Sequence, residues 1–205
     1  MTSTRTRAVL VALTATAALA LTACGSGDDG AGTAHASHSA AAGATASATA
    51  GAHNAQDVSF AQSMIPHHQQ ALEMAGLAVD RGSSAQVRSL AARIEKAQDP
   101  EIRTMTGWLK AWGEDVPMAG MDHSGHAGMA GMMSDKDMTM LKRAKGTDFD
   151  TMFLTMMVEH HRGAVEMAGT EKAKGAYGPA TTMADAIVTA QNAEIKEMNK
   201  LLGKG

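Results

Sequence analysis

Two stretches of this chain are copies of one another. Phe60-Ala-Gln-Ser-Met64-Ile-Pro66-His67-His68-Gln-Gln-Ala71-Leu-Glu73-Met74-Ala75-Gly76 returns as Phe153-Leu-Thr-Met156-Met157-Val-Glu159-His160-His161-Arg-Gly-Ala164-Val-Glu166-Met167-Ala168-Gly169, at a constant offset of 93 residues. The register continues downstream without a gap. Ile94, Ala97, Gln98, Glu101, Ile102, Met105 and Leu109 recur as Ile187, Ala190, Gln191, Glu194, Ile195, Met198 and Leu202. A repeat of this length copies a whole structural unit, so the fold has to be built from two like halves, about 57–112 and 150–203.

Each half reads as two helices. In the first, Val87, Ala91, Ile94, Gln98, Glu101, Met105, Trp108 and Trp112 step by four and three, the spacing of one buried helix face. Turn and capping residues mark the ends. Asp57 is a good N-cap for a first helix running to about Asp80, and Gly82 ends it. Ser83 and Gln86 suit a capping box for the second helix, and Ser134 with Asp137 caps a short one stopping at Gly146. Asp150 starts the third long helix, Gly175 ends it, and Gly178-Pro179 opens the fourth. Pro66 predicts a kink beside the first histidines, and Pro100 a kink or break in the second helix. No stretch alternates as a strand. The expected fold is all-α: a four-helix bundle over 56–205 made of two duplicated helical hairpins, with a short helix in the connecting link 113–149.

The N-terminus carries other signals. Arg5 and Arg7 precede an apolar run from Ala8 to Leu21, too short for a comfortable membrane span. Leu21-Thr22-Ala23-Cys24 then resembles the lipobox of bacterial lipoproteins, in which the cysteine becomes the first mature residue and carries lipid. Residues 1–23 are expected to be a lipoprotein signal peptide, and Cys24 the anchor to the cell membrane from its outer side. If Cys24 is unmodified, the protein is secreted. As the only cysteine, Cys24 can form no internal disulfide. Residues 24–55 are rich in Ala, Gly, Ser and His, with little to bury, and read as a flexible tether. The net charge is negative, which argues against nucleic-acid binding.

Seventeen methionines in 205 residues are more than packing asks for. Met64, His67, Ala71 and Met74 share one helix stripe, and Met157, His160, Ala164 and Met167 share its copy. His68 and His161 lie further round, toward an adjacent helix. Folding the first hairpin at Gly82 brings Gln98 and Glu101 level with His67 and Met64, because antiparallel helices rise equally per residue. The second hairpin does the same for Gln191, Glu194 and His160. Buried polar groups need partners, and two functions fit. One is a metal site, with neutral imidazoles and thioethers as ligands that soft copper favours and Gln98, Glu101, Gln191 and Glu194 orienting them. The other is a buried polar network that only fixes the packing. The link adds Met118, Met121, His123, His126 and Met129 on a glycine-rich backbone, a composition similar to the metal-scavenging segments of periplasmic copper proteins.

Met-Ile-Pro-His-His followed by Ala-Leu-Glu-Met-Ala, then Gln98-x-x-Glu101-Ile102-x-x-Met105, resembles the domain of unknown function 305 family. The second half is similar to it again, through Met157-x-x-His160-His161 and Gln191-x-x-Glu194-Ile195-x-x-Met198. The resemblance covers about Asp57 to Leu202. It implies a ferritin-like helical bundle, and a secreted or lipid-anchored protein with relatives linked to copper. Glu159 stands where the first copy has Pro66, so the two halves need not be equivalent. Ferritin-like di-iron enzymes use Glu-x-x-His on their helices, and no glutamate here precedes a histidine by three. Nor is there a nucleophile arrangement, phosphate loop or nucleotide fingerprint. The expectation is therefore a non-enzymatic, extracytoplasmic, lipid-anchored protein that binds copper, as Cu(I), for sequestration or handover. Its rival is a structural or interaction bundle whose histidines form a polar network.

Overall fold

The computed structural model describes residues 51–118 and 129–204. Cys24, Met121, His123 and His126 lie outside the described residues, as do the whole leader and most of the tether. The described chain forms five helices: α1 (Ala55–Arg81), α2 (Ala85–Trp112), α3 (Asp135–Arg143), α4 (Gly146–Lys174) and α5 (Gly178–Leu201). α1 pairs with α2 and α4 with α5 as the two hairpins, and α1 packs on α4 between them. The short α3 lies against α1 and α4, where Met138 and Leu141 are buried.

Several helix ends differ from those the sequence suggests. Asn54, not Asp57, is the N-cap of α1: its side chain accepts from the Gln56 and Asp57 backbone N–H groups. Asp57 completes the capping box from the third helical position, its carboxylate accepting from Asn54 N at 2.6 Å. Ser84 rather than Ser83 caps α2. α3 ends at Arg143, and α4 begins at Gly146, with Lys145 as its N-cap and Asp150 inside the first turns. Gly175 and the Ser134–Asp137 box stand where the sequence puts them. Pro66 and Pro100 both sit within unbroken helices, so Pro100 does not break α2.

The displaced aspartates have a longer-range task. Asp57 accepts from Ala176 N at 3.1 Å and Tyr177 N at 2.9 Å, in the turn between α4 and α5. Its repeat mate Asp150 accepts from Ser83 N at 3.1 Å, Ser83 Oγ at 2.8 Å and Ser84 N at 2.8 Å, in the turn between α1 and α2. Each half thus holds the hairpin turn of the other. Turn N–H groups have no helical acceptor, and a buried carboxylate with several such donors is well satisfied.

The core is split in two. One apolar cluster joins the C-terminal half of α1 (Ala71 to Ala78), the start of α2 and the N-terminal half of α4 (Phe149 to Val158), with Met198 of α5. The other joins Phe60 to Ile65, Met105 and Leu109, Ala164 and Ala168, and Ala180 to Ile187. α1 and α4 are therefore antiparallel, and the two clusters exchange under the repeat. Between them lies the level of the histidines.

Candidate metal centre

His67, His68, His160 and His161 are each 0–1% exposed. His67 of α1 and His160 of α4 face each other, ring centroids 3.8 Å apart and planes tilted by 37°. One helical residue further on is a rotation of about 100°, which turns His68 toward α2 and His161 toward α5. There His68 Nε2 donates to Glu101 Oε2 at 2.8 Å, and His161 Nε2 donates to Glu194 Oε2 at 2.6 Å. The glutamates level with His67 and His160 in sequence thus hold their neighbours instead. Gln98 and Gln191 are buried in the same layer. The four histidines form one continuous layer across the pseudo-twofold axis.

The hydrogen bonds settle three tautomers. A carboxylate or carbonyl oxygen can only accept, so each bonded ring nitrogen carries the proton. Glu101 and Glu194 place it on Nε2 of His68 and His161. Ala130 O, in the link, receives Nε2–H of His67 at 3.2 Å. The Nδ1 atoms of all three rings are buried without a partner. Gln98 Oε1, Gln191 Oε1 and both ring nitrogens of His160 are equally without partners. Each buried, unpartnered polar atom costs ~1–3 kcal/mol. The surplus is of lone pairs, which a cation satisfies more fully than a two-proton water.

Burial also keeps His67 and His160 neutral. Desolvation, then the neighbouring His68, lowers the pKa of His67 to about 3. His160 is lowered well below its ordinary 6.5 by desolvation, then by His67 and His161. A metal ligand must be unprotonated, and these rings are so without any metal.

The methionines are arranged around this layer. Met64 and Met157 are fully buried one turn before the histidine pairs, each at an inner edge of an apolar cluster. Met74 and Met167 stand about two turns beyond His67 and His160, within the clusters. Met118 is 63% exposed, and Met129 is half-buried. Among the described residues no three His, Cys, Asp or Glu side chains converge as a metal cage, so a bound ion here would need thioether or amide donors, or a ring rotation.

Two contacts escape a reading of motifs. Gln70 is buried and grips the backbone of Met133 from both sides, accepting from its N–H at 2.7 Å and donating to its carbonyl at 2.9 Å. Gly163 lies against Ala130 so closely that a Cβ there would stand 1.9 Å from the Ala130 oxygen. Positions 70 and 163 are mates at the offset of 93 and they differ, but so do many other mates, so the repeat alone does not single them out.

The profile of the family described as Domain of unknown function (DUF305) matches residues 57–202. The chain belongs to the DUF305 family. Solved structures agree with the fold. A protein from Streptomyces coelicolor, named as a secreted DUF305 protein, is 34% identical with a TM-score of 0.66, covering 73% of this chain and 93% of that one. A DUF305 fragment from Deinococcus radiodurans is 33% identical, also with a TM-score of 0.66, covering 74% and 98%. CopM in its Cu(II)-bound form is 33% identical with a TM-score of 0.63, covering 72% and 95%. CopM has also been solved with Cu(I) and with silver. No match was found among curated proteins. The bundle expected from the repeat is the fold observed: all-α among the described residues, two duplicated hairpins and a short connecting helix.

Proposed function

We propose that this DUF305 protein binds copper, as Cu(I), outside the cytoplasm, for sequestration or handover rather than catalysis. His67, His68, His160 and His161 supply imidazole nitrogens, with Met64 and Met157, one helical turn before each pair, as thioethers. Glu101 and Glu194 orient His68 and His161, and Gln98 and Gln191 complete the layer. Met74, Met167 and the link residues Met118, Met121, His123, His126 and Met129 form a second, weaker pool. Cys24 carries lipid and, with the tether, holds the bundle at the outer face of the cell membrane. The observation that carries this reading is the set of buried imidazoles whose Nδ1 atoms have no partner. The copper- and silver-bound relatives support the choice of ion, and the secreted relative supports the location.

The rival reading, a structural polar layer, draws support from the His68–Glu101 and His161–Glu194 pairs, which satisfy half of each ring. Calorimetric melting separates the two. A ligand of the native state alone stabilises it by about 2.7 kcal/mol at a hundredfold excess over Kd. Cu(I), kept reduced, should raise the melting temperature of the full chain and of a chain lacking 119–128. The double substitution His67→Ala with His160→Ala should abolish the rise. If the shortened chain shows no rise, the bundle histidines are structural.

A further inference from the structure

The two halves of the histidine layer are not equivalent, although the repeat makes them so in sequence. After the first hairpin the chain must cross to the second, and on the way Ala130–Met133 passes directly over the layer. Gly131 takes a left-handed φ of 79°. A Cβ on it would meet Glu159 O at 2.6 Å and His160 O at 2.9 Å. The strap therefore lies on one turn of α4, against the backbone from Glu159 to Gly163. Its other edge is held by α1, through Gln70 on Met133 and through His67 Nε2–H on Ala130 O. A faithful repeat would place glutamine at 163, where even a methyl group collides with Ala130. The departure from the repeat makes the room that the strap fills.

We propose that Ala130–Met133 is a strap that orients His67 and covers the way into the layer from the link, with Gln70 and Gly163 as its positioning residues. Ala130 O accepts from Nε2–H of His67 and leaves its Nδ1 without a partner, whereas His160 makes no close hydrogen bond and has only a loose approach to the His67 backbone. The preset ring is the first ligand an incoming soft cation meets, and the more loosely held ring turns to complete the coordination. The other covers of the layer are α2 and α5, tied into the apolar clusters. The strap is tied by one glutamine and one imidazole, and so is the cover most easily lifted. It is also the end of the Met-rich link, with Met129, Met132 and Met133 half-buried along it. A cation held at Met129, Met132 or Met133 then passes to the bundle at this point. The route rests on the copper-binding reading above, but the tautomer of His67 does not.

The experiment has a metal-free arm and a silver arm, both on the full chain. With 15N-labelled histidine, long-range 15N–1H spectra read the protonated nitrogen of each ring. In the parent, His67, His68 and His161 should all be Nε2–H. In Gln70→Ala, and separately in Gly163→Ala, the His67 signal should shift toward a tautomer mixture, while His68 and His161, held by Glu101 and Glu194, stay unchanged. Gln70→Ala removes two contacts without adding bulk, and so serves if Gly163→Ala does not fold. In stopped flow with Ag(I), the variants should take up the bundle-bound ion roughly tenfold faster, since two hydrogen bonds closing the strap are gone. An unchanged His67 tautomer in both variants overturns the positioning role. A changed tautomer with an unchanged silver uptake rate overturns the covering role. Absence of silver binding in the parent sinks the metal-binding reading and the route with it, while the tautomer arm still decides how His67 is oriented.

Discussion

Glu171 should make this bundle less stable as pH rises, and one substitution should remove the effect. The residue is fully buried near the end of α4, with neither carboxyl oxygen in a close hydrogen bond, and it neighbours Asp57. Burial, then the Asp57 carboxylate, raises its pKa from 4.5 to about 7. A raised acid binds its proton more tightly folded than unfolded. The stabilisation is therefore complete below the unfolded pKa of 4.5 and is lost as pH climbs through about 7. At ~1.36 kcal/mol per pKa unit, the loss reaches about 3 kcal/mol. Glu171→Gln keeps the shape, cannot ionise and can still donate to Asp57. Urea unfolding followed by circular dichroism, at steps from about pH 5 to about pH 8, gives the difference between the two proteins. Subtraction cancels the contribution of the histidines. The expected result is a variant whose advantage over the parent grows by about 2.5 kcal/mol between about pH 5 and about pH 8. Parallel stability curves would refute the reasoning, since they would mean Glu171 titrates alike folded and unfolded.

Asp150→Ala should cost about 3 kcal/mol, because three donors of the α1–α2 turn lose their acceptor; urea unfolding measures it, and hydrogen exchange at Ser83 and Ser84 should quicken more than elsewhere. Cys24→Ala should release the protein from the membrane fraction or leave it unprocessed, and unchanged membrane association would remove the lipid anchor from the proposal.

Much of the architecture was legible because the repeat does the work of many separate signals. An unbroken offset through Gln191 and Glu194 requires two like hairpins, and equal rise along antiparallel helices puts the histidines and glutamines at one level. The structure has both. Height does not give rotation, however. Which histidine meets Glu101 depends on how α1 and α2 are turned about their own axes, set by packing all along both helices. The result is His68, not His67. Asp57 and Asp150 resemble caps because their spacing from the apolar runs is local information. Their carboxylates are used by turns more than a hundred and more than sixty residues away. The strap and Glu171 were not legible in the sequence: Gln70 stands against Gly163 and Ala78 against Glu171, but many other positions of the two copies differ as well, and only the packing shows which differences matter.

The unpartnered atoms of the layer offer a way to ask what the layer is for. Gln98 Oε1 and Gln191 Oε1, with three Nδ1 atoms, are all acceptors, and acceptors cannot satisfy one another. If the layer existed only to fix packing, these glutamines would be contributors, and replacing them by methionine of similar length would destabilise the bundle. If the layer is kept for a cation, the metal-free protein bears the cost of burying them. The double substitution Gln98→Met with Gln191→Met should then stabilise the metal-free bundle by ~1–3 kcal/mol per site. Stability gained at the expense of a functional site is a common trade. Urea unfolding in the presence of a copper chelator reads the first quantity, and the thermal increment on adding Cu(I) reads the second. A more stable bundle with a smaller copper increment assigns the glutamines to the cation. A bundle destabilised by more than about 1 kcal/mol, with an unchanged increment, would make them structural and leave the lone pairs of the histidines to account for the site alone.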